Sequence, residues 1–187
     1  MTRSPHVLGI DEGPFVKGQA ERVPVVAALC EGASVLEAVA RTDFPVDGEG
    51  ATEFLIEWIG GLRVVSALQG IALGGITFAG LGIVDVRALS DALAAPVLVV
   101  TRRPPDNVRL RQALEAAGLL ERFAVAERSP EAFQGDDGIW LAHAGCERER
   151  AQALLRETRG KAKLPEPLRI AHLIATAYVR GESHGRV

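Results

Sequence analysis

The residues most capable of chemistry lie where the first apolar segment ends, in VLGIDEGPF (Val7 to Phe15). Asp11 and Glu12 are adjacent acids at the end of a segment whose branched apolar residues predict a buried strand. Burying a carboxylate is costly unless it is paired or bound to a cation, and such oxygens suit Mg²⁺ or Mn²⁺. Spacing alone slightly favours a simpler interpretation, in which both acids are solvated in the turn before Gly13.

Neighbouring side chains on a strand point to opposite faces of the sheet. Asp11 and Glu12 are therefore expected to share one site only if Gly13 allows the strand end to twist. Glu53 falls in the first turn of a predicted helix, where the helix dipole alone favours an acid. That position also permits Glu53 to point back over the sheet as a ligand.

Basic side chains occur at two places where they would suit a phosphate. Arg102 and Arg103 end an apolar strand, and their guanidinium groups either hold phosphate or mark a solvated strand exit. The last helix carries a polar stripe on an otherwise apolar sequence, made of Arg169, His172, Thr176 and Arg180. Such a stripe is usually the solvated face, but a helix docked across a sheet would aim it at the acids. The pattern alone leaves the role of His172 undecided.

Composition indicates a globular protein of ordinary charge. The chain has 187 residues, a net charge of -3 and a pI near 5.8, so any attraction to nucleic acid must come from a local basic cluster. We expect one domain over residues 1–187, with 181–187 as a tail. Two cysteines are too few for a disulfide framework, which favours a cytoplasmic location. Five glycines interrupt the uncharged segment Val64 to Val84, so a membrane span is rejected.

The order of predicted elements favours an α/β fold. Three valine-rich strands with short connections predict an antiparallel meander, and alternating helices and strands follow before two terminal helices. GIALGGITFAG (70–80) is predicted to be one strand, and Asp85 and Asp106 are predicted to cap helices. The order predicts a mixed sheet, three antiparallel strands then parallel ones, with helices on both faces. Ribonuclease H-like domains have this order, as do other α/β folds.

Three segments in the same order resemble the endonuclease dU family and its relative endonuclease V. They are VLGIDEGPF, GIALGGITFAGLGIVDVRALSDALAAPVLVVTRRPP and RGKAKLPEPLRIAHLIA. The resemblance to endonuclease dU is the closer one, especially in GIDEGPF, GITFAG and RGESHGR. It implies a ribonuclease H-like fold and metal-assisted cleavage of a nucleic-acid phosphodiester, with DNA preferred over RNA and deoxyuridine or inosine as the deaminated base.

The resemblance also implies roles for individual residues. Asp11, Glu53 and His172 would bind Mg²⁺ or Mn²⁺, with Glu12 as a further catalytic candidate that has no secure counterpart in endonuclease V. The implied contacts to the nucleic-acid backbone come from basic residues, namely Arg102, Arg103, Lys163 and Arg169.

The chain departs from the family pattern on the central strand. Gly74-Gly75 stands where these families usually place an aspartate before glycine, so Gly74 supplies no ligand and cation affinity is expected to fall. A non-catalytic module that binds nucleic acid or protein on the same fold is therefore the alternative. A dinucleotide site in GLGIVD is set aside, because the third glycine of that fingerprint is missing.

Overall fold

A seven-stranded mixed sheet forms the centre of the structure. The structure is a computed structural model and describes residues 4–135 and 137–184. The strands, in chain order, are β1 (His6–Glu12), β2 (Arg22–Glu31), β3 (Val35–Pro45), β4 (Gly70–Leu73), β5 (Thr77–Phe78), β6 (Gly82–Ile83), β7 (Val97–Thr101), β8 (Phe133–Gln134) and β9 (Trp140–Ala144). The helices are α1 (Ala51–Gly60), α2 (Val86–Leu93), α3 (Asn107–Ala116), α4 (Phe123–Glu127), α5 (Arg148–Glu157) and α6 (Glu166–Arg180).

The strand order in the sheet is β3-β2-β1-β4-β7-β9-β8. The first three strands form the predicted antiparallel meander, and β4 and β7 run parallel to β1. The last strand differs from the expectation, because β9 runs antiparallel to β7 as the second arm of a hairpin with β8. A short apolar run such as Trp140–Ala144 carries no information about strand direction, which explains the difference.

Alternation along β1 creates the two faces of the sheet. Leu8 and Ile10 point into the larger core cluster, which includes Leu55 and Ile59 of α1 and Leu89 of α2. Val7 belongs to the opposite cluster, together with side chains from α5 and α6. Helices therefore cover both faces of the sheet, as predicted. Asp11 and Glu12, consecutive residues at the end of β1, point to opposite faces.

Helix α6 approaches β1 unusually closely at Gly9. A Cβ atom at Gly9 would lie 2.1 Å from the carbonyl carbon of Pro167 and 2.2 Å from the amide nitrogen of Leu168. Only glycine lets the two backbones meet at this distance. The contact sets the height of α6 over the sheet, and Ala171 and Ala175, both fully buried, continue the small-residue packing toward the end of β1.

The segment 70–80 does not form the single strand that the sequence predicts. β4 ends at Leu73, and after Gly74 and Gly75 the chain enters a small separate hairpin of β5 and β6. Ala79 and Gly80 make its turn with φ values of 48° and 101°. The apolar residues of the hairpin pack into the core, as the hydrophobic pattern predicts. The prediction that they continue strand β4 was wrong.

Arg122 ties this hairpin to the loop that follows β3. Its Nη1 atom donates to the carbonyl oxygens of Asp47, Gly48 and Leu81, at 2.8, 3.2 and 3.0 Å. The guanidinium group is mostly buried, with 15% of its side chain exposed. A single cation thus satisfies three backbone carbonyl groups, two in the loop after β3 and one in the hairpin turn.

Several local predictions are confirmed. The Asp85 side chain accepts hydrogen bonds from the first turn of α2, and the Asp106 side chain does the same for α3. Within the residues that the structure describes, no helix is long and apolar enough to cross a membrane. Of the predicted tail, 185–187 lie outside the described residues.

Replacing Gly9 by alanine should destabilise the protein by at least about 2 kcal/mol, because backbone atoms of α6 must move away from β1. Gly60→Ala is the matched control, since its Cβ would find its nearest neighbour, Leu93 Cδ2, 4.0 Å away. Urea unfolding followed by circular dichroism measures both variants. Equal stabilities would show that the close approach of α6 is not required.

Candidate active site at the end of the first strand

A groove of about 1090 Å³ opens where β1, β4 and β7 end beneath α6. Its floor carries Asp11, Glu12 and Gly74, and one wall is the polar stripe of α6. The other lining residues come from loops and strand ends and include Phe15, Thr101, Arg102, Arg103, Leu164, Ser183 and His184. The carboxyl ends of parallel strands meet at this edge of the sheet, which is where ligands bind in open α/β folds.

Asp11 and His172 form the central contact of the groove. The Nδ1–H group of His172 donates to Asp11 Oδ2 at 2.6 Å, a length typical of charge-assisted hydrogen bonds. The other carboxylate oxygen of Asp11 accepts from the backbone N–H of Glu12 at 3.1 Å. His172 is 57% exposed and Asp11 22%, so the pair faces the groove rather than the core. The remaining ring nitrogen of His172, Nε2, is thereby left for another partner.

The hydrogen bond to Asp11 raises the pKa of the His172 imidazole, and burial and the positive charge of Arg102 oppose this effect. The charges of Asp11 and Glu12 act in the same direction as the hydrogen bond. Because the pKa is raised, the stabilisation from this pair is fully present below the unfolded-state pKa of histidine. It is lost as pH rises through the higher folded-state pKa.

Glu12 points away from this pair. Its partner in the β2 register, Val25, lies in the core cluster on the α1 side, whereas Val26, opposite Asp11, packs under α6. Glu12 Oε1 accepts from the backbone N–H of Ala79 in the hairpin at 3.2 Å. Burial, together with the negative charge of Asp11, raises the pKa of the Glu12 carboxyl to about 7. Glu12 borders the groove, but its ionised form is penalised there.

Exposed arginines line the groove on either side of the acids. Arg102 and Arg103 follow β7, and Arg180 ends α6. Arg169 also lines the groove, but its guanidinium group makes two hydrogen bonds, at 2.8 and 2.6 Å, with the buried carboxylate of Glu166. Arg102, Arg103 and Arg180 therefore have guanidinium groups more accessible to an anion than Arg169 has.

Two of the predicted site residues do not line the groove. Glu53 is exposed in the first turn of α1, with no contact to Asp11 or His172. Lys163 is exposed, and its Nζ donates to the backbone carbonyl of Asp137 at 3.1 Å. The helix dipole accounts for Glu53 without any site. Both assignments stay predictions that no contact in the groove supports.

Gly74 leaves open space on the floor of the groove. A Cβ atom there would have no heavy atom within 4 Å, and the backbone φ of Gly74 lies outside the left-handed region. Among residues 4–135 and 137–184, the Asp11–His172 pair has no third metal-ligating side chain grouped with it within 4.8 Å. The glycine that the resemblance marks as a departure therefore opens onto free space in the groove that holds the Asp11–His172 pair.

Sequence reasoning did not anticipate Glu166 or the residues after α6. Glu166 is 6% exposed and accepts from Arg169, so it orients one residue of the groove from beneath. Ser183 and His184 line the groove although they follow the last helix. The only signal for them was the family segment RGESHGR, because neither periodicity nor charge distinguishes residues in a terminal segment.

The fold is that of endonuclease V, a ribonuclease H-like nuclease fold. Endonuclease V of Ciona intestinalis, solved in complex with a 24mer DNA containing an inosine followed by a ribo-adenosine, superposes with a TM-score of 0.56 at 12% identity. The match covers 91% of this chain and 83% of that one. At this identity the likeness concerns the fold alone.

The family follows from closer relatives. The model of the family described as endonuclease dU matches residues 3–179, and the chain therefore belongs to the endonuclease dU family. A UPF0215 protein of Methanothermobacter thermautotrophicus is 36% identical over 96% of this chain and 90% of its own. A protein of unknown function from Archaeoglobus fulgidus has a TM-score of 0.86 at 29% identity, covering 97% of this chain and all of that one.

Replacing Asp11 by asparagine should lower the pKa of His172, because the amide keeps the shape of the carboxylate but loses its charge. The ring-proton shift of His172 in an NMR pH titration, assigned with His172→Ala, measures the change. Asp43→Asn is the control, since Asp43 pairs with Arg41 on β3. An unchanged titration of His172 in Asp11→Asn would contradict the ion pair.

Proposed function

We propose that this protein is a divalent-metal-dependent endonuclease that cleaves nucleic acid at deaminated bases, with DNA preferred to RNA. The observation that carries the proposal is the Asp11–His172 pair in a groove lined by arginines, at the strand ends of a nuclease-like fold. The two residues are 161 positions apart in the chain and belong to separate elements, so only the fold brings them together.

The donor set suits a hard or borderline cation that keeps several waters. Mg²⁺ is usually held by one or two carboxylates plus substrate phosphates, and Mn²⁺ also accepts imidazole nitrogen. Asp11 and the Nδ1 atom of His172 would be the ligands, with the ion replacing the proton that these two groups share. Glu12 would stay outside this ligand set, because its carboxylate accepts from the backbone N–H of Ala79. A bound ion would polarise a phosphoryl oxygen and activate water for attack on phosphorus.

The residues around the pair supply the remaining requirements of phosphodiester cleavage. Asp11 orients the imidazole of His172 through Nδ1, so the second ring nitrogen, Nε2, faces away from the carboxylate and would be available to the substrate. Arg102, Arg103 and Arg180 would contact phosphates on either side of the cleaved bond. They supply the local basic cluster that a chain of net charge -3 needs in order to bind a polyanion.

The choice of deaminated DNA rests on relatives. The chain is an endonuclease dU family member, and its fold matches an endonuclease V bound to inosine-containing DNA. The groove, about 1090 Å³, is large enough to receive a nucleotide turned out of a duplex, and Phe15 gives it an apolar aromatic surface.

Cleavage of end-labelled oligonucleotides containing deoxyuridine or inosine, with Mn²⁺ or Mg²⁺, tests the activity directly. Asp11→Ala should lower the rate at least about a hundredfold, because the charged ligand is lost. Arg102→Ala/Arg103→Ala should mainly raise KM and weaken its salt dependence. Glu57→Ala, on the exposed face of α1, is the control. Wild-type cleavage no faster than that of Asp11→Ala would refute the proposal, and matched RNA strands test the preference for DNA.

Gly74 favours a second candidate function, a non-catalytic module that binds nucleic acid through the same groove. Without a carboxylate at position 74, just after β4, the ligand set is short of a charge that would hold the ion in place. Such a module would bind oligonucleotides through Arg102, Arg103 and Arg180 equally well with metal and with a chelator.

Gly74→Asp distinguishes the two functions. The new carboxylate enters open space, so it should increase Mn²⁺ affinity by about tenfold or more without disturbing the fold. Isothermal titration measures the affinity, and Gly74→Asn is the matched uncharged control. If the protein is an endonuclease, Gly74→Asp should accelerate the cleavage that the wild type already shows. If the protein is a binding module, the wild type shows no cleavage to accelerate. No gain in affinity would show that position 74 does not face the ion.

A further inference from the structure

A separate group of ligating side chains lies at the other end of the central strands. His6 begins β1, Glu31 ends β2 and Glu37 lies near the start of β3. One ligand atom from each residue lies within 4.8 Å of the other two. Asp11 is five residues further along β1 than His6, which places this group roughly 17 Å from the groove at ~3.3 Å per residue.

The sheet register explains why the three side chains converge. His6 and Glu31 are direct partners on antiparallel strands, so their side chains leave the same face side by side. Glu37 joins them because of a β-bulge. Leu29 pairs with Ala38 while Cys30 pairs with Leu36, which leaves Glu37 as the extra residue of β3. A bulge of this kind re-aims a side chain that regular pairing would have directed elsewhere.

Contacts to Gln69 and Glu37 hold His6 in place before any ligand binds. The backbone N–H of His6 donates to Gln69 Oε1 at 3.0 Å, and its carbonyl accepts from the backbone N–H of Gln69 at 2.8 Å. The imidazole is 15% exposed, and its Nε2 lies 3.1 Å from Glu37 Oε2. Ligands fixed by a sheet lose little conformational entropy when they bind.

We propose that His6, Glu31 and Glu37 bind a divalent transition-metal ion of the zinc type. One imidazole nitrogen and two carboxylate oxygens suit Zn²⁺, whereas Mg²⁺ and Ca²⁺ prefer oxygen alone. Three protein ligands leave a fourth position of a tetrahedral ion for water. The site is independent of the groove, and its bound ion would join the edge strand β3 to β1 and β2.

Isothermal titration of the double variant Asp11→Ala/His172→Ala with ZnCl₂ tests the site without interference from the groove. This protein should bind one Zn²⁺ per chain, and binding should weaken at least about tenfold when His6→Asn or Glu37→Gln is added. At a hundredfold excess over Kd, zinc should raise Tm by about 5–10 °C. Glu57→Gln and His184→Asn, exposed residues of the same types, are the matched controls and should change neither result.

Absence of zinc binding in the double variant would overturn the proposal, as would binding that survives both His6→Asn and Glu37→Gln. Co²⁺ supplies a second readout, because its visible absorption reports coordination by nitrogen and oxygen. The bands should appear in the double variant and disappear with His6→Asn. Circular dichroism without metal checks that each variant folds. Because Glu37 is exposed, Glu37→Gln tests the site even if His6→Asn does not fold.

Discussion

The close approach of α6 to β1 at Gly9 is the constraint on which the site depends. The helix carries His172 and the strand carries Asp11, and a hydrogen bond of 2.6 Å leaves little tolerance for a change in their separation. Small residues under α6 keep this distance along the helix. The packing contact therefore controls the site directly, because Gly9, where the two backbones meet, lies two positions before Asp11 on the same strand.

The sequence alone predicted the order of elements, the apolar strand β1 and the polar stripe of α6. The association of Asp11 with His172 came from the family resemblance, because spacing left the role of His172 undecided. Other features depended on interactions that no local pattern records. The burial of Glu166, the hairpin after Leu73 and the direction of β9 follow from tertiary packing. Glu53 is the opposite case. The family resemblance predicted a metal ligand there, but the helix dipole alone explains an acid in the first turn of α1.

Adjacent acids at the end of β1 have unequal environments for a simple geometric reason. Strand alternation sends Asp11 toward an imidazole and Glu12 toward a backbone amide of the hairpin. The carboxylate of Asp11 raises the pKa of the imidazole that it contacts, whereas burial raises the pKa of Glu12 to about 7. Adjacent acids thereby take different places, one as the hydrogen-bond partner of His172 and one as a buried acceptor of the hairpin.

The open space at Gly74 means that packing does not fix the side chain at this position. A glycine codon ending in a pyrimidine becomes an aspartate codon through one base change, and nothing around position 74 would have to be repacked to admit the new side chain. A carboxylate could therefore enter the floor of the groove in a single mutational step that the fold does not oppose.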